Sequence, residues 1–155
     1  MISGLLACQT GVTQAKRINP EGEASSIELT GFVREHLEGA LMLFAAERWQ
    51  TYAADPERTY RALTAPGATT LVAIDQGVVA GLVQLQSDGE IQAHLSALIT
   101  GAQRRRRGLG RALLRQALAR AGGVCIDLLS RSGGYYLSLG AESVPGFRLH
   151  KETMA

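Results

Sequence analysis

Four consecutive arginines, at positions 104–107, directly precede two glycines, Gly108 and Gly110, in the stretch QRRRRGLGRALL. The residues that follow have the spacing of a helix, whose N-terminus carries about half a positive charge and therefore favours acidic neighbours. No Asp or Glu occurs between positions 91 and 126 to offset the arginines. We therefore expect this stretch to bind an anion.

The two glycines indicate the kind of anion. The first turn of a helix leaves backbone N–H groups without helical partners, and glycine lets a ligand approach them closely. Together with the forked donors of arginine, such a turn suits phosphate. The nucleoside-triphosphate loop is excluded because no Lys follows either glycine, and the dinucleotide fingerprint because Leu113 stands where its third glycine belongs. A different phosphate-containing ligand is predicted.

Periodicity predicts the elements that position this stretch. Alternating or β-branched runs predict strands at 26–32, 69–75, 78–86, 91–100 and 124–130. The strand at 124–130 is nearly all apolar, so we expect it to be central and buried on both faces. Edge strands are expected within 142–152. Helical spacing predicts helices at 34–50, 56–63, 108–121 and 135–139. Asp55 is the expected N-cap of the second helix, and Leu109, Leu113, Ala117 and Ala121 are the expected buried stripe of the third. The short turns between residues 69 and 100 predict an antiparallel meander, so the fold class is mixed α/β.

The motif Arg105-x-x-Gly108-x-Gly110, followed by a helix, resembles the [Q/R]-x-x-G-x-[G/A] signature of the GNAT superfamily of N-acetyltransferases. The resemblance covers about residues 27–152, since LSALIT resembles the family's fourth strand, YYLSLGA its FYxxLGF segment and RLHKE its last strand. It implies a central mixed, mostly antiparallel sheet flanked by helices. It also implies direct transfer of an acetyl group from acetyl-CoA, the cosubstrate, to a primary amine.

The resemblance also implies roles for individual residues. Backbone amides of residues 106–111 would hold the pyrophosphate of acetyl-CoA, and residues 98–100 would pair with its pantetheine arm. One N–H group of that strand would stabilise the oxyanion that forms as the amine attacks. The cofactor-binding residues implied in this way are Leu98, Ile99, Thr100, Arg105, Arg106, Arg107, Gly108, Leu109, Gly110 and Arg111.

Tyr136 stands at the position of the family's tyrosine general acid, which would protonate the departing thiolate. Tyr135 is the alternative, because helical spacing lets only one of the two face the cofactor. Gly133, Gly134 and Ala141 depart from the family's pattern, so we expect the helix that presents these tyrosines to be short.

His94 is the candidate general base, because its pKa class suits removal of an ammonium proton. Strand alternation places it on the face of Ser96 and Leu98. A structural role for His94, with proton transfer through water, is the alternative.

The acceptor pocket is expected where the family's first two helices meet, near Trp49 and Tyr52. With Asp55 and Glu57 nearby, a cationic small-molecule amine is the predicted substrate. A non-catalytic acyl-CoA sensor and an enzyme that acetylates a protein N-terminus are the alternatives. Nucleic-acid binding is disfavoured, because no aromatic residues alternate with the arginines.

Composition sets the remaining expectations. A net charge of +2 and a 46% hydrophobic content indicate an ordinary globular protein, with an N-terminal extension at 1–24 and one domain at 25–155. No segment has the ~20 apolar residues of a membrane span. Cys8 and Cys125 lack metal spacing, and Cys125 is expected to be buried. We therefore expect a cytoplasmic protein that binds no metal, nucleic acid or membrane. The resemblance to the GNAT family, whose members are frequently dimers, implies a homodimer.

Overall fold

The structure is a computed structural model that describes residues 13–15 and 27–154. Most of the predicted N-terminal extension, including Cys8, lies outside the described residues. Among those described, no helix combines the length and the apolar character that crossing a bilayer would need.

A six-stranded sheet with the spatial order β1 to β6 forms the centre of the molecule. Neighbouring strands from β1 to β5 are antiparallel, and β6 is parallel to β5. The strands are β1 (Thr13–Ala15), β2 (Ile27–Gly31), β3 (Ala68–Asp75), β4 (Val78–Ser87), β5 (Gln92–Thr100) and β6 (Cys125–Asp127). The β3–β4 turn consists of Gln76 and Gly77, both with positive φ (51° and 79°), as a tight hairpin requires. The predicted meander and the mixed α/β fold class are confirmed.

Helices cover both faces of the sheet. They are α1 (Leu37–Ala46), α2 (Gln50–Ala53), α3 (Pro56–Leu63), α4 (Leu109–Ala121) and α5 (Gly133–Leu137). The buried residues of α4 are the predicted stripe, and they pack on one face with Val83, Leu85 and Leu95. On the other face, α1 and α3 bury Phe44 and Leu63 against Leu82 and Ile99. The sheet is therefore the middle layer between two apolar cores.

The helix predicted at 34–50 ends earlier than its apolar spacing indicates. The N–H of Trp49 donates to the carbonyl of Phe44 at 2.9 Å, and that of Arg48 donates to Ala45 at 3.0 Å. This pair of bonds is a Schellman motif, which terminates α1 at Ala46. Arg48 occupies its left-handed position with φ 59°. The next predicted helix is confirmed, since Asp55 accepts from the N–H of Arg58 at 3.0 Å and caps α3.

A β-bulge interrupts the alternation of β5. Gln84 pairs with Ala97 and the next residue, Leu85, pairs with Leu95, so Ser96 is left over between them. Because of the extra residue, Leu95 and Leu98 pack in the same core, although strict alternation would place them on opposite faces of the sheet. His94 therefore lies on the face opposite to Leu98, and the face predicted for it by simple alternation is wrong.

The end of the chain also differs from its prediction. Only Cys125–Asp127 of the apolar run 124–130 is a strand, and β6 lies at the edge of the sheet instead of its centre. Val124 is 85% exposed and Cys125 is exposed as well, so the expectation of a buried Cys125 is wrong. Residues 141–150 form no strand, so the edge strands predicted within 142–152 are wrong. Within the described chain, β6 therefore has no second neighbour in the sheet.

Candidate active site

A cleft opens where β5 and β6 separate. Their parallel pairing ends at His94 and Asp127. The following residues of both segments, 95–100 and 128–132, line an open cavity of about 1400 Å³. No described strand pairs with β5 on this side beyond His94, so its backbone N–H and C=O groups there face the cavity.

The start of α4 closes one end of this cavity. Gly108, with φ 77°, turns the chain into the helix, and its carbonyl accepts from the N–H of Ala112 at 3.0 Å. The N–H groups of Leu109, Gly110 and Arg111 precede the first helical hydrogen bond, and all three residues line the cavity. No acidic residue lies in this first turn. The cavity thus includes the N-terminus of a helix, a feature that favours anions, without an acidic neighbour in its own turn.

The four consecutive arginines have different surroundings. Arg104 forms an ion pair with Asp75, whose side chain is only 2% exposed. Arg105 forms an ion pair with Glu47 and donates through Nε to the carbonyl of Thr100 at 3.4 Å. Arg106 has a left-handed backbone (φ 59°) and lines the cavity.

Nine of the ten predicted cofactor-binding residues line this one cavity; the exception is Arg107. The structure therefore brings together the residues that the motif selected. It also adds Ser96, whose position in the bulge was not evident from alternation.

Both candidate tyrosines line the cavity, whereas helical spacing predicted that only one would. Their rings meet edge to face with centroids 5.1 Å apart. Burial raises the pKa of Tyr136, the charge of a tyrosinate at Tyr135 would raise it further, and a hydrogen bond with Ser130 opposes both. Burial likewise raises the pKa of Tyr135, which the charge of Arg111 opposes. Both hydroxyls are therefore held protonated at neutral pH.

His94 is not brought to this site. It is exposed, its partners in the sheet are Gln86 and Asp127, and it does not line the cavity. The bulge is the physical reason, because it turns His94 away from the residues that follow it in β5.

The acceptor region differs from its prediction as well. Trp49 lines the cavity, but Tyr52 stacks on Phe44 with ring centroids 4.4 Å apart. Asp55 caps α3, and Glu57 pairs with Arg34, so neither carboxylate lines the cavity.

Sequence reasoning missed Glu47, which is the one acidic residue among the described residues that line the cavity. It lies at the C-terminal end of α1, where an isolated carboxylate is typical of a solvated surface. Three arginines outside residues 104–111, namely Arg48, Arg131 and Arg148, line the cavity too. Each is isolated in the sequence, so no local pattern could have identified them.

Comparisons with known proteins agree with this geometry. The family model for the GNAT acetyltransferases matches residues 33–136. No curated protein sequence matches the chain significantly.

Solved structures give further matches. A putative acetyltransferase from Deinococcus radiodurans is 26% identical, with a TM-score of 0.65 over 82% of this chain and 90% of that one. The aminoglycoside N-acetyltransferase AAC(6')-Iy, solved with CoA, is 17% identical, with a TM-score of 0.67 over 86% of this chain and 98% of that one. A transcriptional regulator from Bacillus halodurans is 18% identical, with a TM-score of 0.67 over 80% of this chain and 99% of that one.

The family match covers two thirds of the chain, from the segment before α1 to Tyr136 in α5, and includes the arginine–glycine motif. The chain therefore belongs to the GNAT family of acetyltransferases and is an acetyl-CoA-dependent acyltransferase.

Proposed function

We propose that the protein transfers the acetyl group of acetyl-CoA directly to a primary amine of a small molecule. The observation that carries this proposal is the meeting of three features in one cavity. These are the open side of β5, the first turn of α4, and the paired tyrosines of α5. The proposed transfer uses no covalent intermediate on Cys125, which does not line the cavity.

Acetyl-CoA supplies the thioester, and the residues of the cavity supply the binding. The N–H groups of Leu109, Gly110 and Arg111 would bind the pyrophosphate, with Arg106 adding charge at the same helix terminus. The open backbone of Leu98, Ile99 and Thr100 would bind the pantetheine arm as an adjacent strand does. An N–H of this segment would stabilise the oxyanion as the new C–N bond forms.

Tyr136 is the proposed general acid. A tyrosine hydroxyl is protonated at neutral pH, so it can donate a proton to the sulfur as the C–S bond breaks. Tyr135, which lines the same cavity, is the second candidate for this donor.

The amine must lose a proton before it attacks, and His94, which does not line the cavity, is not placed as a direct base. We propose that this proton leaves through water. Among the described residues that line the cavity, seven are arginines, two of them ion-paired, and one is an acid, so their field would favour the neutral amine over an ammonium ion. The cavity itself thus favours the nucleophilic form.

Binding and turnover test the proposal together. Acetyl-CoA and coenzyme A at about 100 times Kd should add about 2.7 kcal/mol and raise Tm by several degrees, whereas ATP, NAD and a short RNA should not. Coenzyme A release with a panel of amines then separates an enzyme from an acyl-CoA sensor, which would bind without turnover. Absence of stabilisation by acetyl-CoA would refute the proposal.

A homodimer is the assembly that we propose. Its support is the exposed C-terminal segment, where Phe147 is 91% and Leu149 is 74% exposed. Light scattering of the purified chain measures the mass directly, and a monomer at all concentrations would contradict it.

The cytoplasm is the proposed location. A free and exposed Cys125 suits a reducing compartment, where thiols stay unpaired. Fractionation of cells that express the tagged protein would test this.

A further inference from the structure

Arg48 adopts a backbone conformation that suits glycine. It is the left-handed residue of the Schellman motif that ends α1, with φ 59°. A Cβ in this region crowds the neighbouring backbone, which is why glycine usually fills the position. The side chain of Arg48 is present in spite of that steric cost.

Three described residues other than glycine have positive φ, namely Arg48, Gln76 and Arg106. Gln76 lies in the β3–β4 turn, away from the cavity, and has an ordinary role in a hairpin. Arg48 and Arg106 both line the cavity. Strained residues cluster at functional sites, and Arg106 already has a proposed role at α4, whereas Arg48 has none.

The ion pairs near the cavity show which of its charged residues already have a charged partner. In the described part of the chain, the three ion pairs are Arg34–Glu57, Arg104–Asp75 and Arg105–Glu47. Glu47 is thus paired with Arg105 of the arginine–glycine motif, and it is the one carboxylate among the described residues that line the cavity.

Arg48, Arg131 and Arg148 take part in none of these pairs. They come from three separate segments, the α1–α2 loop, the segment between β6 and α5, and the C-terminal segment, and they all line the cavity. They lie outside the arginine–glycine motif that would hold the pyrophosphate. The cavity therefore has positive charge in addition to that of the arginine–glycine motif.

We propose that the acceptor carries an anionic group, a carboxylate or a phosphate, in addition to its reactive amine, and that Arg48 binds this group. Arg131 and Arg148 add to the positive field, and the half-buried ring of Trp49 provides an apolar wall beside Arg48. This inference rests on the proposed acetyltransfer, and it replaces the cationic acceptor that Asp55 and Glu57 suggested from the sequence.

The test compares amines that differ only in the anionic group. L-Phenylalanine is paired with L-phenylalaninamide, and phosphoethanolamine with ethanolamine; spermidine represents polycations. The readouts are kcat/KM from coenzyme A release, Kd for acetyl-CoA, and binding of each amine to the coenzyme A complex followed by fluorescence of Trp49, the only tryptophan of the chain. The first pair reports on carboxylate and the second on phosphate.

Three substitutions separate the charge of Arg48 from its backbone. Arg48→Ala removes the charge but keeps a Cβ, Arg48→Gly removes both, and Arg48→Lys keeps the charge. Gln76→Gly is the matched control, because it changes a left-handed residue outside the cavity.

The wild-type protein should prefer the anionic member of at least one pair by about tenfold or more, as a charged hydrogen bond predicts. Arg48→Ala and Arg48→Gly should abolish this preference and leave Kd for acetyl-CoA within about twofold, and Arg48→Lys should retain part of it. Arg48→Gly should keep or raise Tm, by up to about 3 °C, as Gln76→Gly should, because both relieve a strained φ.

Other outcomes overturn the inference. They are a preference for spermidine or the neutral amines, no anionic preference in turnover or in Trp49 fluorescence, and a preference that survives Arg48→Gly. Loss of acetyl-CoA affinity in Arg48→Ala would make Arg48 a cofactor ligand instead. If wild-type protein does not bind acetyl-CoA at all, the proposed acetyltransfer falls together with this inference; if it acetylates amines without regard to charge, only this inference falls.

Discussion

The hydroxyl oxygen of Tyr135 lies 3.0 Å from the position that a Cβ on Gly110 would occupy. The first turn of α4 and the helix α5 thus approach each other across one end of the cavity. A side chain at position 110 would press on Tyr135 and would also cover the N–H groups of that turn. Gly110 therefore affects two parts of the site at once.

Gly110→Val should weaken acetyl-CoA binding by about tenfold or more, because both branches of valine occupy the space beside the open N–H groups. Gly110→Ala should have a smaller effect, since Tyr135 need shift by only a few tenths of an ångström. Calorimetric titration measures both. Ala119→Val is the matched control, because it places the same side chain on an exposed position of α4 away from the cavity. Equal affinity of Gly110→Val and Ala119→Val would contradict the proposed pyrophosphate site.

Tyr136→Phe should lower kcat by about a hundredfold, the lower range for loss of a general acid, while Kd for acetyl-CoA stays nearly constant. Tyr135→Phe should have a smaller effect on kcat. Steady-state kinetics of the two variants under identical conditions decides between the hydroxyls. A larger loss of kcat in Tyr135→Phe would transfer the role of acid to that residue.

The pH dependence of stability follows from three tyrosines. Burial raises the pKa of Tyr52, Tyr135 and Tyr136 above the ordinary value of about 10. A pKa that is higher in the folded chain means that the folded state holds these protons more tightly. The stabilisation is therefore complete below pH 10 and is lost as the pH rises through the folded-state values. Urea denaturation at pH 8 and pH 11 should show the midpoint falling, and the triple Tyr→Phe variant should show a smaller fall.

Arg104→Met should destabilise the protein by about 2 kcal/mol, because it removes a charged hydrogen-bonding group that is ion-paired with the buried carboxylate of Asp75. Arg115→Met, on an exposed position of α4, should cost less than about 0.5 kcal/mol. Denaturant titration of the two variants measures the difference. Similar midpoints would mean that the Arg104–Asp75 pair contributes little to stability.

Much of the fold could be predicted because its signals are local. The β3–β4–β5 meander follows from alternating apolar residues and the Gln76–Gly77 turn. The end of α1 could not be predicted, because the chain has Arg48 where a glycine would have marked the stop. The exposure of β6 was missed for a different reason. Its apolar residues are typical of a central strand, and only the order of strands in space reveals that it lies at an edge.

In the candidate site, too, local sequence patterns predict some residues and not others. Residues of the arginine–glycine motif are close in sequence, so their common location at the start of α4 was predictable. His94 was misplaced because a bulge at Ser96 depends on pairing with β4, which a single strand does not reveal. Arg48, Arg131 and Arg148 meet only through tertiary structure.

The short parallel contact between β5 and β6 affects where the protein unfolds locally. β6 joins the edge of the sheet through only three residue pairs, and Val124 and Cys125 at its start are exposed. Segments with few buried contacts and exposed backbone hydrogen bonds open at low free energy in local unfolding. One wall of the cavity can therefore detach while the meander stays intact. A ligand that contacts both β5 and the α5 side of the cavity would stabilise the contact between β5 and β6. Hydrogen exchange at residues 125–127 should therefore slow on addition of acetyl-CoA, more than in β3 or β4.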